Sequence, residues 1–283
     1  MTDVPPESPP PTRVSRAKAR AAASTSRSVT PPVPEMPLKP LVTVAAVALA
    51  GLLTITAFAG PAMVALAVAL SAGIIAWGWA GLLGLPSPRG TTLVLAVGSA
   101  AAIGTVLATV DDPYLAWVPA ALAGSMIVAF IHQLARKDGR PRLVESVASN
   151  ITAIAIVVSG ASLVALPRTE HGAWVVAIAS SAVAVSAVTD LAGGSRRLAA
   201  WLLPLAMLSG GVAAILVGHW LGAVGWGAAA LLGVLAAGVS HAVRRVLSTL
   251  PAISSARSQL VSACASVLTT GVVVYVVGRL LMP

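Results

Sequence analysis

The chain has 283 residues, of which 57% are hydrophobic and only 10% are charged. Soluble domains carry about 25% charged residues, so this composition excludes an ordinary soluble protein and predicts an all-α, polytopic membrane protein. The net charge of +9 does not indicate nucleic-acid binding, because the basic residues lie in an N-terminal tail and in short loops beside apolar segments.

The first 38 residues are basic and rich in Pro, Ser and Thr. A segment of this composition cannot bury an apolar core, so we expect a disordered cytoplasmic tail over residues 1–38 and a transmembrane helical domain over residues 39–283. The basic residues of the tail could contact anionic phospholipid head groups. A solvated tail that only sets the orientation of the chain is the simpler interpretation.

Nine apolar segments follow the tail, each close to the roughly 20 residues that cross a bilayer as a helix. They lie at about residues 40–60, 62–84, 91–110, 114–134, 145–166, 172–190, 199–218, 222–242 and 259–281. Gly60-Pro61 alone joins the first two segments, which predicts a tight helical hairpin. Gly210, Ala214 and Gly218 recur every four residues, a spacing that lets a neighbouring helix approach closely.

The densest internal run of charge lies within residues 132–150, between the fourth and fifth segments. Its basic residues are Arg136, Lys137, Arg140 and Arg142. Cytoplasmic loops of membrane proteins carry the excess of Lys and Arg, so we expect this loop to face the cytoplasm.

The other loops agree with that orientation. If alternate loops are cytoplasmic, all of the 18 Lys and Arg residues except Arg168 and Arg279 fall on the cytoplasmic side. In this assignment Arg244 and Arg245 belong to a loop after the eighth segment. We therefore predict a cytoplasmic N-terminus, an external C-terminus and a location in the inner (plasma) membrane of a bacterium, since the preference for Arg over Lys is typical of high-GC bacterial genes.

The ionisable residues of the segments lie near their predicted cytoplasmic ends. Glu145 begins the fifth segment, and Asp190, His241 and His132 end the sixth, eighth and fourth segments. If these helices pack together, the four side chains form one polar cluster that faces the inner leaflet. Alternatively, each side chain reaches the interface separately, with Glu145 beside Arg142 and Asp190 beside Arg196.

No ionisable residue is expected at mid-membrane, which argues against an ion-coupled transporter. The common nucleotide-binding, zinc-protease, serine-hydrolase and C-x-x-C motifs do not occur in the sequence. The residues by themselves therefore predict no catalytic residue, no metal site and no cofactor. Cys264, the single cysteine, is expected to be a small buried hydrophobic residue.

Three local features suggest a known family. Thr189-Asp190 closes the sixth segment, the run SGGVAAILVG over residues 209–218 follows Pro204, and Gly238 lies near the end of the eighth segment. With these features, the layout over about residues 40–280 resembles the integral-membrane CDP-diglyceride synthases (phosphatidate cytidylyltransferases). The resemblance implies a cytoplasmic-side site for divalent metal, CTP and phosphatidate, with Asp190 as the acidic ligand that is retained.

The chain departs from that family at its signature motifs. The S-P-K-K-T-x-E-G motif is absent, residues 201–209 reading WLLPLAMLS, and residues 238–262 contain no carboxylate.

Three functions stay open. The first is a multi-pass protein that binds lipid or a protein partner without catalysis, which the missing motifs favour; the sequence does not identify such a partner. The second is a divergent cytidylyltransferase-like enzyme that uses Asp190 and Glu145. The third is a small-molecule transporter or exporter that works without buried charges.

Overall fold

A computed structural model describes residues 40–137, 139, 141–194, 196–222 and 225–281, with only the backbone described at 194, 196 and 197. The predicted tail over residues 1–38 lies outside this part of the chain. The described residues form α-helices, short 3₁₀ turns and loops, and they contain no strand. The prediction of an all-α protein is confirmed.

The described residues contain eleven α-helices. In chain order they are α1 (Pro40–Ala59), α2 (Pro61–Leu83), α3 (Pro88–Ala108), α4 (Val118–Ala135), α5 (Leu143–Ala161), α6 (Gly172–Thr189), α7 (Arg196–Ala199), α8 (Leu202–Leu221), α9 (Trp226–Ser248), α10 (Ala256–Leu268) and α11 (Gly271–Leu281).

Nine spans within the described ranges are long and apolar enough to cross a membrane, in agreement with the nine predicted segments. Seven are single helices; α6 with its 3₁₀ extension is counted among them. The fifth span continues α5 through 3₁₀ turns to Arg168, and α10 and α11 together form the ninth span. Large apolar side chains such as Ile55, Leu208 and Trp220 are 71%, 65% and 85% exposed. Surfaces of this kind suit a lipid environment, so the fold is that of a multi-pass membrane protein.

The predicted hairpin between the first two spans is present. Helix α1 ends at Ala59 and α2 begins at Pro61, with only Gly60 between them. Gly60 has a φ of 107°, a conformation that glycine adopts readily and other residues rarely adopt. Pro61 then occupies the first helical position, where its fixed φ suits the start of a helix.

Helix α10 connects two groups of helices. Helices α1, α6, α8 and α9 pack together on one side, and α2, α3, α4 and α5 pack together on the other. Helix α10 contacts α1 and α9 in the first group and α2 and α5 in the second. Helices α5 and α10 also carry buried polar side chains, among them Asn150 and Ser262.

Small residues bring α8 and α9 into close contact, as the spacing of Gly210, Ala214 and Gly218 predicts. A Cβ atom on Gly233 of α9 would lie 2.4 Å from the Cβ of Ala214 and 2.6 Å from the carbonyl oxygen of Gly210. A Cβ on Gly218 would lie 3.3 Å from the Cβ of Ala229. The two backbones approach so closely because no larger side chain separates them.

The ninth span is interrupted at Thr269-Thr270, between α10 and α11. There the hydroxyl of Ser159 in α5 donates to the carbonyl of Thr269 at 2.8 Å and accepts from the N–H of Val272 at 3.0 Å. Gly271 lies against α5, where a Cβ atom would be 1.9 Å from the carbonyl oxygen of Ser159. The sequence did not predict this interruption, which a hydroxyl from a neighbouring helix makes tolerable in an apolar interior.

Candidate functional site

Asp190, His241 and Arg244 form a buried group of ionisable side chains, which we call the Asp190 cluster. The Nδ1 atom of His241 lies 2.5 Å from Oδ1 of Asp190, and the Nε–H of Arg244 donates to Oδ2 at 2.6 Å. His241 is 3% exposed, Arg244 is 0% exposed and Asp190 is 1% exposed. Both oxygens of the carboxylate are thus engaged by side chains of α9.

Two serines complete the hydrogen bonding of the guanidinium. Nη1 of Arg244 donates to the hydroxyl of Ser240 at 2.5 Å, and Nη2 donates to the hydroxyl of Ser186 at 2.9 Å. The Ser186 hydroxyl in turn donates to the carbonyl of Ala237 at 3.2 Å. Each of the three guanidinium nitrogens therefore has an acceptor, as a buried cation requires.

Helical spacing explains how these residues meet. On α9, Ser240 precedes Arg244 by four residues and His241 precedes it by three. Residues at these spacings are neighbours on one face of a helix. Ser186 and Asp190 are likewise one helical turn apart, at the end of α6 where the helix tightens into a 3₁₀ turn. Close packing of α6 against α9 brings the two sets together.

The structure brings together two of the four residues in the predicted polar cluster. Asp190 and His241 are in contact, but Glu145 pairs with Arg142 and its side chain is 59% exposed. His132 is half-buried, with Nε2 3.3 Å from the hydroxyl of Ser87. Glu145 and His132 thus have surroundings different from those of the Asp190 cluster.

The structure corrects the prediction for Arg244. The sequence predicts a loop after residue 242, whereas α9 continues to Ser248 and Arg244 is fully buried. The physical reason is the carboxylate of Asp190, which offsets the burial of the cation. The signal in the sequence was its spacing from Ser240 and His241. The alternative partner Arg196 has a side chain outside the described part of the structure.

Both carboxylate oxygens of Asp190 already have hydrogen-bond partners, and this limits what the Asp190 cluster can bind. No group of three or more His, Cys, Asp or Glu residues that could hold a metal ion occurs among the described residues. A metal at Asp190 would compete with the guanidinium of Arg244 for the carboxylate, and a buried cation that loses its partner costs about 3–5 kcal/mol. The observed geometry suits an ionic link between α6 and α9.

The two ends of the bundle differ in charge. The end at which α2, α4, α6 and α9 finish is called the basic end here; the sequence predicts that it faces the cytoplasm. Its described side chains include two carboxylates, those of Glu145 and Asp190, and seven cations: Arg89, Arg136, Lys137, Arg142, Arg244, Arg245 and Arg257. Both carboxylates are already paired within the chain.

At the opposite end, both described arginines have partners. Arg168 donates to the carbonyls of residues 106, 107 and 109, and its Cζ lies 5.2 Å from the ring centroid of Tyr114. Arg279 donates to Asp112 at 2.6 Å. The excess of positive charge is therefore confined, among the described side chains, to the basic end.

Another group of polar atoms lies inside the bundle on α4, α5 and α10. Gln133, Ser146, Asn150 and Ser262 are between 0% and 2% exposed. Within the described part of the chain, no hydrogen-bond partner is present for Gln133 Nε2, for the hydroxyls of Ser146 and Ser262, or for either polar atom of the Asn150 amide. Such atoms are rare in folded proteins, because each costs about 1–3 kcal/mol.

No family model matches this chain, and neither the curated proteins nor the solved structures contain a match. The resemblance to CDP-diglyceride synthases stays a prediction.

Proposed function

We propose that this protein is a multi-pass membrane protein that binds anionic phospholipid head groups at its basic end and does not convert them chemically. The observation that carries the proposal is the imbalance of charge at that end. Its two described carboxylates are neutralised within the chain. Arg89, Lys137 and Arg245 form no ion pair with any described residue.

Arg257 and Trp77 offer the most defined place for a lipid at the basic end. The Cζ atom of Arg257 lies 4.0 Å from the ring centroid of Trp77, and Nη2 also donates to the Trp77 carbonyl. Trp77 is 53% exposed on the surface of α2. Tryptophan rings favour the membrane–water interface, and a cation beside one is positioned to meet a phosphate.

Binding without catalysis is also supported by the Asp190 cluster. The cytidylyltransferase alternative needs Asp190 to hold a divalent metal, yet both carboxylate oxygens are engaged by His241 and Arg244. Glu145, the second carboxylate of that hypothesis, is paired with Arg142 and exposed. The residues that the enzyme hypothesis requires thus have other roles in this arrangement.

Native mass spectrometry of the purified full chain tests the proposal. Phosphatidylglycerol and phosphatidylcholine with the same acyl chains are offered in equal amounts, and we expect preferential retention of phosphatidylglycerol. Arg257→Gln should weaken its binding about fivefold, because a basic residue near an anionic surface contributes about 1 kcal/mol.

Arg279→Gln is the matched control, since Arg279 lies at the opposite end and pairs with Asp112. It should leave lipid retention unchanged. Equal retention of the two lipids by the unmutated protein, or equal effects of the two substitutions, would refute the proposal.

A transporter or exporter is a second candidate, favoured by the interruption of the ninth span. Discontinuous helices near the middle of the membrane often form the binding sites of transporters. Here α10 has 13 residues and α11 has 11, so the break falls near the middle of its span. Flux of small neutral solutes into proteoliposomes, measured by light scattering, tests this candidate; a rate equal to that of protein-free vesicles contradicts it for those solutes.

A further inference from the structure

The buried amide of Asn150 is the starting point of an inference that goes beyond both candidate functions. Asn150 is 0% exposed, and neither Oδ1 nor Nδ2 has a partner among the described residues. A carboxamide in this state needs a neighbouring group that can donate and accept.

Two serine hydroxyls are also buried without a described hydrogen-bond partner, and they lie at a similar depth in the bundle to Asn150. Ser146 precedes Asn150 by four residues and so shares its face of α5. Ser262 belongs to α10, which packs against α5. Both serines are 1% exposed, and neither hydroxyl has a described partner.

Contacts with α2 show that Asn150 and Ser262 are at similar depth. Ser149, directly before Asn150, accepts a hydrogen bond of 2.8 Å from the indole of Trp79. Val261, directly before Ser262, lies against Gly78, where a Cβ atom would be 2.3 Å from Cγ2 of the valine. Adjacent residues of α2 therefore contact α5 and α10 at this level.

We propose that Asn150, Ser146 and Ser262 form a buried binding site for a small neutral molecule that both donates and accepts hydrogen bonds. Water and a small organic amide or polyol share this chemistry. A charged guest is disfavoured, because the nearest described cation on α10, Arg257, is directed at Trp77, and α5 has no ionisable residue after Glu145. An ion here would lack a counterion in an apolar interior.

The first test is a crystal structure of the full chain grown in a lipid mesophase. We expect non-protein density within hydrogen-bond distance of both polar atoms of Asn150 and of the Ser262 hydroxyl. Direct packing of protein side chains around Asn150, with no such density, would overturn the proposal.

Thermal unfolding of the full chain provides the second test. Ser262→Ala and Asn150→Leu should each lower the Tm by at least about 2 °C, because hydrogen bonds to the guest are lost. Thr152→Val is the control on α5, since Thr152 is exposed and bonds only to its own helix at Ala148. If both buried substitutions leave the Tm unchanged or raise it, the polar atoms are dry and the proposal is wrong.

Acetamide and glycerol distinguish the two sources of the guest. A rise in Tm that the unmutated protein shows and Ser262→Ala lacks assigns the site to an organic solute. If the Tm rises equally in the unmutated protein and in Ser262→Ala, and the crystal structure shows density beside Asn150, the guest is water. Ser262→Ala removes one oxygen without adding volume, so it remains informative if Asn150→Leu fails to fold.

Discussion

The Nε atom of Arg244 lies 2.6 Å from Oδ2 of Asp190, although 54 positions separate the two residues along the chain. This contact joins α9 to the end of α6 and buries both charges. A buried pair of this kind need not stabilise a fold more than apolar residues would, but the loss of one partner is costly. The pair therefore fixes the relative positions of two spans.

Substitution of Asp190 should destabilise the protein strongly. In Asp190→Asn the buried guanidinium of Arg244 loses its counterion, so we expect the free energy of unfolding to fall by about 3–5 kcal/mol. Thermal unfolding in detergent, followed by circular dichroism, measures this change.

Glu145→Gln provides the control, because Glu145 forms an exposed ion pair with Arg142. Such pairs contribute about 0–1 kcal/mol, so this variant should unfold close to the unmutated protein. A small change for Asp190→Asn, comparable to that of the control, would show that Asp190 reaches water instead of Arg244.

The close contact between α8 and α9 predicts that a larger side chain there will destabilise the protein. Gly233→Val places a side chain against the backbone of Gly210 and should lower the stability by about 1–3 kcal/mol. Gly227→Val is matched to it, since Gly227 lies on the same helix with no atom within 4 Å of a Cβ at that position. Equal Tm values for the two variants would contradict the close approach of α8 and α9.

The interruption of the ninth span predicts a role for the hydroxyl of Ser159. Ser159→Ala leaves the carbonyl of Thr269 and the N–H of Val272 without this partner, at a cost of about 1–3 kcal/mol. Ser181→Ala removes a hydroxyl that bonds only within α6, to Ile178, and should have a smaller effect. Chemical denaturation of both variants measures the difference, and a larger effect of Ser181→Ala would argue against a structural role for Ser159 at the break.

Much of the fold could be predicted from the sequence, because length and hydropathy define a span almost independently of tertiary contacts. The spacing of Gly210, Ala214 and Gly218 likewise predicted a close helix contact. Arg244 could not be assigned in this way, since a basic residue near a helix end resembles a loop residue until its partner is known. The break at Thr269-Thr270 depends on Ser159 of another helix, which no local pattern indicates.

Orientation in the membrane is a further prediction, based on the distribution of Lys and Arg. In a Cys264→Ala background, Asp111→Cys should react with a membrane-impermeant thiol reagent in intact cells, and Lys137→Cys should react only after permeabilisation. Both positions are exposed in the structure, so access within the protein does not limit the reaction. The reverse labelling pattern would invert the assigned topology.

The central claim is that the basic end binds anionic lipid without converting it. Its most direct test is to incubate the reconstituted protein with vesicles of phosphatidic acid, Mg²⁺ and CTP, and to measure pyrophosphate release. We expect no release above that of protein-free vesicles, while phosphatidic acid remains bound to the protein when it is re-extracted. Release of pyrophosphate that requires the protein and accompanies formation of a cytidylylated lipid would contradict the account and support the enzyme hypothesis.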